Sequence, residues 1–239
     1  RVAIFKKATV LQDMGRYEEA AEYFKAVIAL GLDGPGERVA LGNVLIELGK
    51  YDEAIEHFRT AIVIQSSPFT EVILREQEPR IQLALALQAT QQYEEAVKVF
   101  EEGLQETPEN PDLLKEYAWL RATCPEELLR DREAAVTMAR QACNLSNNEL
   151  RALDVYAAAL ANNLRFSEAV RAEQRAIDVA NLQVEAIEEQ LSSKDWKEWE
   201  KPPKEMLVQV KSILEEAEER LQLYKQARPY RQEPPEDAE

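Results

Sequence analysis

Apolar positions recur along this chain at intervals of three and four residues, and the same stretch of them returns several times. Met14 to Ile28, MGRYEEAAEYFKAVI, reads Gly-x-Tyr-x-x-Ala-x-x-x-Phe. Tyr51, Ala54 and Phe58 repeat Tyr17, Ala20 and Phe24 at a spacing of 34 residues, and Tyr93, Ala96 and Phe100 repeat them again. Weaker copies follow at Ala135 with Ala139 and at Phe166 with Ala169. Repetition at this period predicts stacked two-helix units, each burying one face against the next.

In the first unit the spacing predicts helices near residues 2–14 and 17–30. Small residues at Ala8 and Ala20 allow close approach, and Tyr17 and Phe24 fill the space beside them. Gly15 ends the first helix where a left-handed backbone is needed, and Asp33-Gly34-Pro35-Gly36 is turn chemistry leading to the next. The second unit carries Gly42, Leu45, Gly49 and Ala61, the third Leu83, Ala84 and Leu87. The third follows the second by 42 residues, and the surplus lies in Ser66 to Pro79. There Ser67 as cap and Pro68 in the first turn predict a short extra helix, broken near Pro79.

The fourth unit pairs Leu114, Tyr117 and Ala118 with Ala135, Ala139 and Ala142 around an enlarged turn, RATCPEELLRD. The fifth holds Leu153, Ala157, Leu160, Phe166, Ala169 and Ala176, with Leu164 where a turn glycine is usual. Past Ala180 the repeat is lost, and Val184 to Leu191 is expected to continue or follow a helix. The expected organisation is a repeat region over 1–180, a linker or insertion over 181–203, a helix over 204–228 and a Pro-rich acidic tail over 229–239. Leu207, Val210, Leu214, Ala217, Leu221 and Tyr224 give the late helix its apolar stripe.

The second unit, LGNVLIELGKYDEAIEHFRTAI, resembles the tetratricopeptide repeat family. The resemblance implies an all-α, right-handed helical-hairpin solenoid of about five repeats with a C-terminal capping helix, and a function in binding proteins. ATCPEELLRDREAAV, LDVYAAALANNLRFSEAV and RLQLYKQARPYR are similar to a bacterial subgroup of that family. The chain opens at Arg1 within a helix and is expected to be part of a longer protein.

Charge narrows the partners. The formal net charge is −16, which repels nucleic acid and anionic membranes and favours basic or neutral partners. No run of about 20 apolar residues suited to spanning a membrane occurs, and no signal peptide is visible. The chain is expected to be soluble, in a compartment the sequence leaves open.

Catalytic chemistry finds no constellation, and neither a cofactor nor a metal is expected. The single histidine, His57, reads as a solvent-facing surface residue. The seven glycines fall at turns or packing positions, not in a phosphate loop, and the carboxylates spread over helix faces. Cys124 and Cys143 match no metal or haem spacing; Cys143 falls in the core pattern and Cys124 in the turn, with more prospect of exposure.

In the fold that the resemblance implies, the first helix of each pair lines a concave groove. The positions left over from packing are Val2, Phe5, Thr9 and Gln12, then Val39, Asn43 and Ile46, then Ile81, Leu85 and Gln88, then Lys115 and Trp119, then Asp154, Ala158 and Asn162. Phe5, Val39, Ile46, Ile81, Leu85 and Trp119 make an apolar strip larger than a soluble monomer usually exposes. Family members that clamp acidic chaperone tails use a Lys/Asn set here. Only Asn43 matches it, so that activity is not expected.

The expected function is a scaffold or adaptor that buries a partner's apolar helix or extended segment along this strip, with Asn43 bonding the partner's backbone. A structural subunit that self-associates or assembles a larger complex is the alternative. The 204–226 helix has three candidate roles: a cap on the last repeat, an occupant of the groove, or a contact for another chain. Trp119 is either a groove residue or core, and Trp196 and Trp199 either pack locally or anchor a partner.

Overall fold

Four of the five helix pairs close through a turn that carries the same backbone instruction. A computed structural model describes residues 2–31, 33–66, 79–192 and 204–231, which hold eleven α-helices. The chain runs through α1 (Val2–Asp13), α2 (Tyr17–Ala29), α3 (Pro35–Glu47), α4 (Tyr51–Gln65), α5 (Pro79–Ala89) and α6 (Tyr93–Glu106). It continues through α7 (Pro111–Thr123), α8 (Arg132–Leu145), α9 (Leu150–Asn162), α10 (Phe166–Ser192) and α11 (Lys204–Lys225). Four of the turns are alike. Gly15, Gly49, Gln91 and Leu164 take φ of 70°, 70°, 58° and 61°, each two residues before the next helix. At each, the following amide donates five residues back: Arg16 to Leu11 at 2.9 Å, Lys50 to Leu45 at 2.8 Å, Gln92 to Leu87 at 2.8 Å and Arg165 to Leu160 at 2.9 Å. This ties off the last carbonyls of the first helix and sends the chain back along it.

Two compact units make up the structure, one ending at Glu106 and one running from Thr107 to Glu233. In the first, α1 packs on α2, α2 on α3, α3 on α4, α4 on α5 and α5 on α6, and α5 also touches α3. Its core is a row of small residues with one large ring per repeat. Ala8, Ala20, Ala54, Ala61, Ala84 and Ala96 are fully buried, as are Phe24, Phe58 and Phe100. Burying each ring contributes about 2–3 kcal/mol. Gly42 shows how close the helices come, since a Cβ there would fall on the Phe58 ring. The extra helix expected over 66–79 lies mostly outside the described residues, and α5 starts at Pro79 itself.

In the second unit α7 packs on α8 and α9, α8 on α9, α9 on α10, and α10 on α11. Asn110 caps α7 by accepting from the amides of Asp112 at 3.0 Å and Leu113 at 3.1 Å, with Pro111 behind it. Asp131 caps α8 through the Ala134 amide at 3.0 Å. The enlarged turn between them is a short 3-10 helix, Glu127–Leu129. Arg130 ties it down, its Nη1 donating to the Cys124 carbonyl at 2.8 Å. Cys124, the thiol with more prospect of exposure by its place in the turn, is buried. Helix α10 runs through the stretch 184–191 to Ser192 and buries Ile187.

Candidate functional site

In the first unit the i, i+4 geometry of a helix puts Asn43 one turn from Val39, and Leu85 one turn from Ile81, on the adjoining helices α3 and α5. Asn43, Ile46 and Ile81 are half-buried, and Leu85 is 39% exposed. Among the described residues the Asn43 side chain makes no hydrogen bond. Phe5 on α1 is half-buried, its ring edge-on to Phe24 at 5.5 Å. Val39 departs from expectation: it is only 2% exposed and belongs to the core. α3 has α2, α4 and α5 around it, so a helix flanked on three sides buries a position that an end helix would leave open.

His57 is not a bare surface residue either. It is half-buried, with Nδ1 3.1 Å from Arg38 Nη1, while Arg38 holds Asp33 through two bonds of 2.5 and 2.7 Å. Burial and the Arg38 charge push the imidazole below its usual value, which keeps it neutral. The Cys143 thiol is pushed up to about 11 by burial, and the Cys124 thiol is raised for the same reason. Both are poor nucleophiles. Among the described residues no group of three His, Cys, Asp or Glu is placed to hold a metal ion, and no helix is long and apolar enough to cross a membrane.

The second unit treats the equivalent positions differently. Trp119 on α7 is covered by Tyr230, the ring centroids 5.5 Å apart, with the Arg220 guanidinium 5.9 Å from the indole. Asn162 on α9 donates from Nδ2 to the Tyr230 carbonyl at 3.0 Å. Arg220 on α11 brings Nη2 within 2.8 Å of Asp154 Oδ1 and Nε within 3.5 Å of Glu173 Oε1. All three side chains are buried, Glu173 completely. Burial pushes Glu173 up to about 10, and the Asp154 charge beside it adds to the effect. Asp154 is raised by burial and drawn back by Arg220, so the ionised pair is Asp154 with Arg220 and Glu173 keeps its proton. Lys115, the other groove-side position, is 8% exposed and pairs with Asp112 at 2.7 Å. Trp196 and Trp199 lie outside the described residues.

Tetratricopeptide repeat models match residues 5–69 and 78–120, the regions that fold as α1 to α4 and as α5 to α7. The chain is a tandem tetratricopeptide-repeat protein. Its fold is similar to MamA 41-end from Desulfovibrio magneticus RS-1, at a TM-score of 0.57 and 16% identity over 76% of this chain and 95% of that one. The C-terminal part of a TPR repeat-containing protein from Cytophaga hutchinsonii matches with a TM-score of 0.54 and 15% identity over 93% of this chain and 88% of its own. YrrB, described as a TPR protein with an unusual peptide-binding site, matches at 0.50 and 15% over 74% and 84%. No curated protein matches the chain.

The buried Asp154–Arg220–Glu173 group of this tetratricopeptide-repeat chain was not anticipated from sequence, nor was the Tyr230 contact. A signal for the first was present. In LDVYAAALAN almost every neighbour of Asp154 is apolar. A helix apolar on all sides is covered on all sides, so any acid in it needs a partner.

Proposed function

We propose that this chain is a protein–protein interaction scaffold whose first unit takes a partner's apolar helix or extended segment. The residues are Phe5 on α1, Asn43 and Ile46 on α3, and Ile81 and Leu85 on α5. Val39 supports them from the core rather than touching the ligand, and Trp119, in the second unit, is met by Tyr230. One observation carries the reading: incompletely buried apolar side chains flank an amide that has no hydrogen bond among the described residues. Apolar contact would supply affinity, and the Asn43 amide would fix the ligand backbone by donating to a carbonyl and accepting from an N–H. YrrB, of similar fold, carries a peptide-binding site by its own description, which agrees with this use of the architecture.

The experiment is affinity capture of partners from native extract with the wild-type chain, Ile81→Asp and Leu85→Asp. A carboxylate at either place is expected to abolish capture while the helical circular dichroism signal stays native. Undiminished capture of the same partner by both folded variants sinks the proposal.

A further inference from the structure

The groove-side positions of the fourth and fifth repeats already hold a segment, and it is the chain's own. By period Trp119 stands at the place that Asn43 and Leu85 hold in the first unit and Asp154 at that of Val39 and Ile81, with Asn162 two turns beyond Asp154 on α9. Here they are met by Tyr230, Arg220 and the Tyr230 carbonyl. The contact is of two kinds. Along α11, Ile213 and Leu214 pack on Ala176, Ala180 and Leu153, and Ala217 and Leu221 on Ile177. Those are apolar and firm.

The end of the segment is polar and poorly matched. One guanidinium serves two buried carboxyl groups. Asp154 Oδ1, both Glu173 carboxyl oxygens, Arg220 Nε and Nη2, and Asn162 Oδ1 are buried without a well-aligned hydrogen-bond partner. Buried ion pairs return less than apolar packing of the same volume, and a half-satisfied network is costly. A helix that served only as a cap would hold the end better with leucines. The chemistry is instead that of a bound ligand: a cation on a carboxylate, a ring on a tryptophan, a backbone carbonyl on an asparagine.

We propose that the Trp119–Asp154–Asn162 face is a second peptide-binding site, and that Arg220 to Tyr230 is an internal ligand which an external segment displaces. The proposal rests on the reading of first-helix faces as the binding side. The partner segment it fits is an amphipathic helix carrying an arginine for Asp154, followed beyond the helix end by an aromatic residue ten positions after that arginine for Trp119, as Arg220 on α11 and Tyr230 past its end at Lys225 stand here. The net charge of −16 favours such a cationic segment.

The test uses the full chain and a fluorescent peptide copying residues 215–231, with binding read by anisotropy. Tyr230→Ala removes a surface stack and keeps Arg220 in place, so folding is retained. It is expected to bind the peptide about tenfold more tightly than wild type, because the internal competitor has lost its ring. Adding Trp119→Ala to Tyr230→Ala, or replacing the peptide's own arginine at 220 by alanine, is expected to lower that affinity by about tenfold or more. Equal affinity of wild type and Tyr230→Ala overturns the proposal, as does a peptide that binds equally well without its arginine. Dimers of Tyr230→Ala formed by exchange of α11 would make the ligand a second copy and overturn it too. Ile81 and Leu85 are unchanged throughout, so partner capture by the first unit is scored separately and survives if only this site fails.

Discussion

Replacing Glu173 by Gln is expected to stabilise the protein above neutral pH and to flatten its response to pH. Glu173 is completely buried, and its carboxyl is pushed up to about 10 from an ordinary 4.5 by burial first and the Asp154 charge second. The folded value is the higher, so the folded state holds a proton that the unfolded chain releases. Stability from this group is therefore full below about 4.5 and is lost as pH rises through the window up to about 10. Each pH unit in that window costs up to ~1.4 kcal/mol. Near pH 7.5, some three pH units above the unfolded value, the loss reaches roughly 4 kcal/mol as an upper bound. Asp154 and Arg220 share the field and absorb part of it, so the expected gain for Glu173→Gln there is about 2 kcal/mol. Gln has the shape of the neutral acid and, like it, carries a donor while bearing no charge. Urea unfolding of both proteins near pH 6 and near pH 8.5, followed by circular dichroism, measures it. The advantage of the variant should grow by at least ~1 kcal/mol between the two conditions. Parallel stability curves, or a variant that is less stable at both, would show that Glu173 is ionised in the fold and the reasoning wrong.

Turn geometry and close packing supply two further tests beside the partner-capture and peptide-binding ones. Leu164 and Gln91 hold the left-handed conformation that Gly15 and Gly49 hold elsewhere. Leu164→Gly and Gln91→Gly should each raise stability by up to ~1 kcal/mol in thermal or urea unfolding, because the strain of a Cβ at positive φ exceeds the entropy that glycine adds to the unfolded chain. Gly42→Ala should cost about 1–3 kcal/mol, since the new Cβ lands on the Phe58 ring and α3 and α4 must part to admit it. A neutral result at Gly42 would mean that the ring can turn aside freely.

Much of the repeat architecture was legible because a single pattern encodes it. Ala8, Ala20 and Phe24 are core for the same reason as their copies, and one reading of the spacing serves every repeat. The site was less legible, because groove positions were assigned by period alone. Period says which way a residue points on its own helix and nothing of how many helices surround it. Val39 failed on that ground, since α3 has three neighbours. Cys124 is buried in a turn that Arg130 ties to the Cys124 carbonyl, a contact six residues away that its place in the turn does not announce. The run of α10 to Ser192 is legible in the sequence: no Gly or Pro interrupts the chain between residues 180 and 192, and Ile187 keeps the apolar interval.

The charged contacts of the second unit were the hardest to foresee, and the reason is physical. Arg220 lies among Glu215, Glu216, Glu218 and Glu219, a run that reads as a solvated face. Its burial comes from contacts distant in sequence, among them Asp154, 66 positions earlier, and Glu173. What the sequence does say sits on the other side of the contact. Helix α9 buries eleven of its thirteen residues, which α8 and α10 alone would not cover on every face. α7 and α11 supply the remaining cover. An all-round apolar helix that also carries Asp154 and Asn162 therefore calls for a covering segment with a cation and a backbone carbonyl to offer. Arg220 and Tyr230 meet that requirement, and a partner that displaces them must meet it as well.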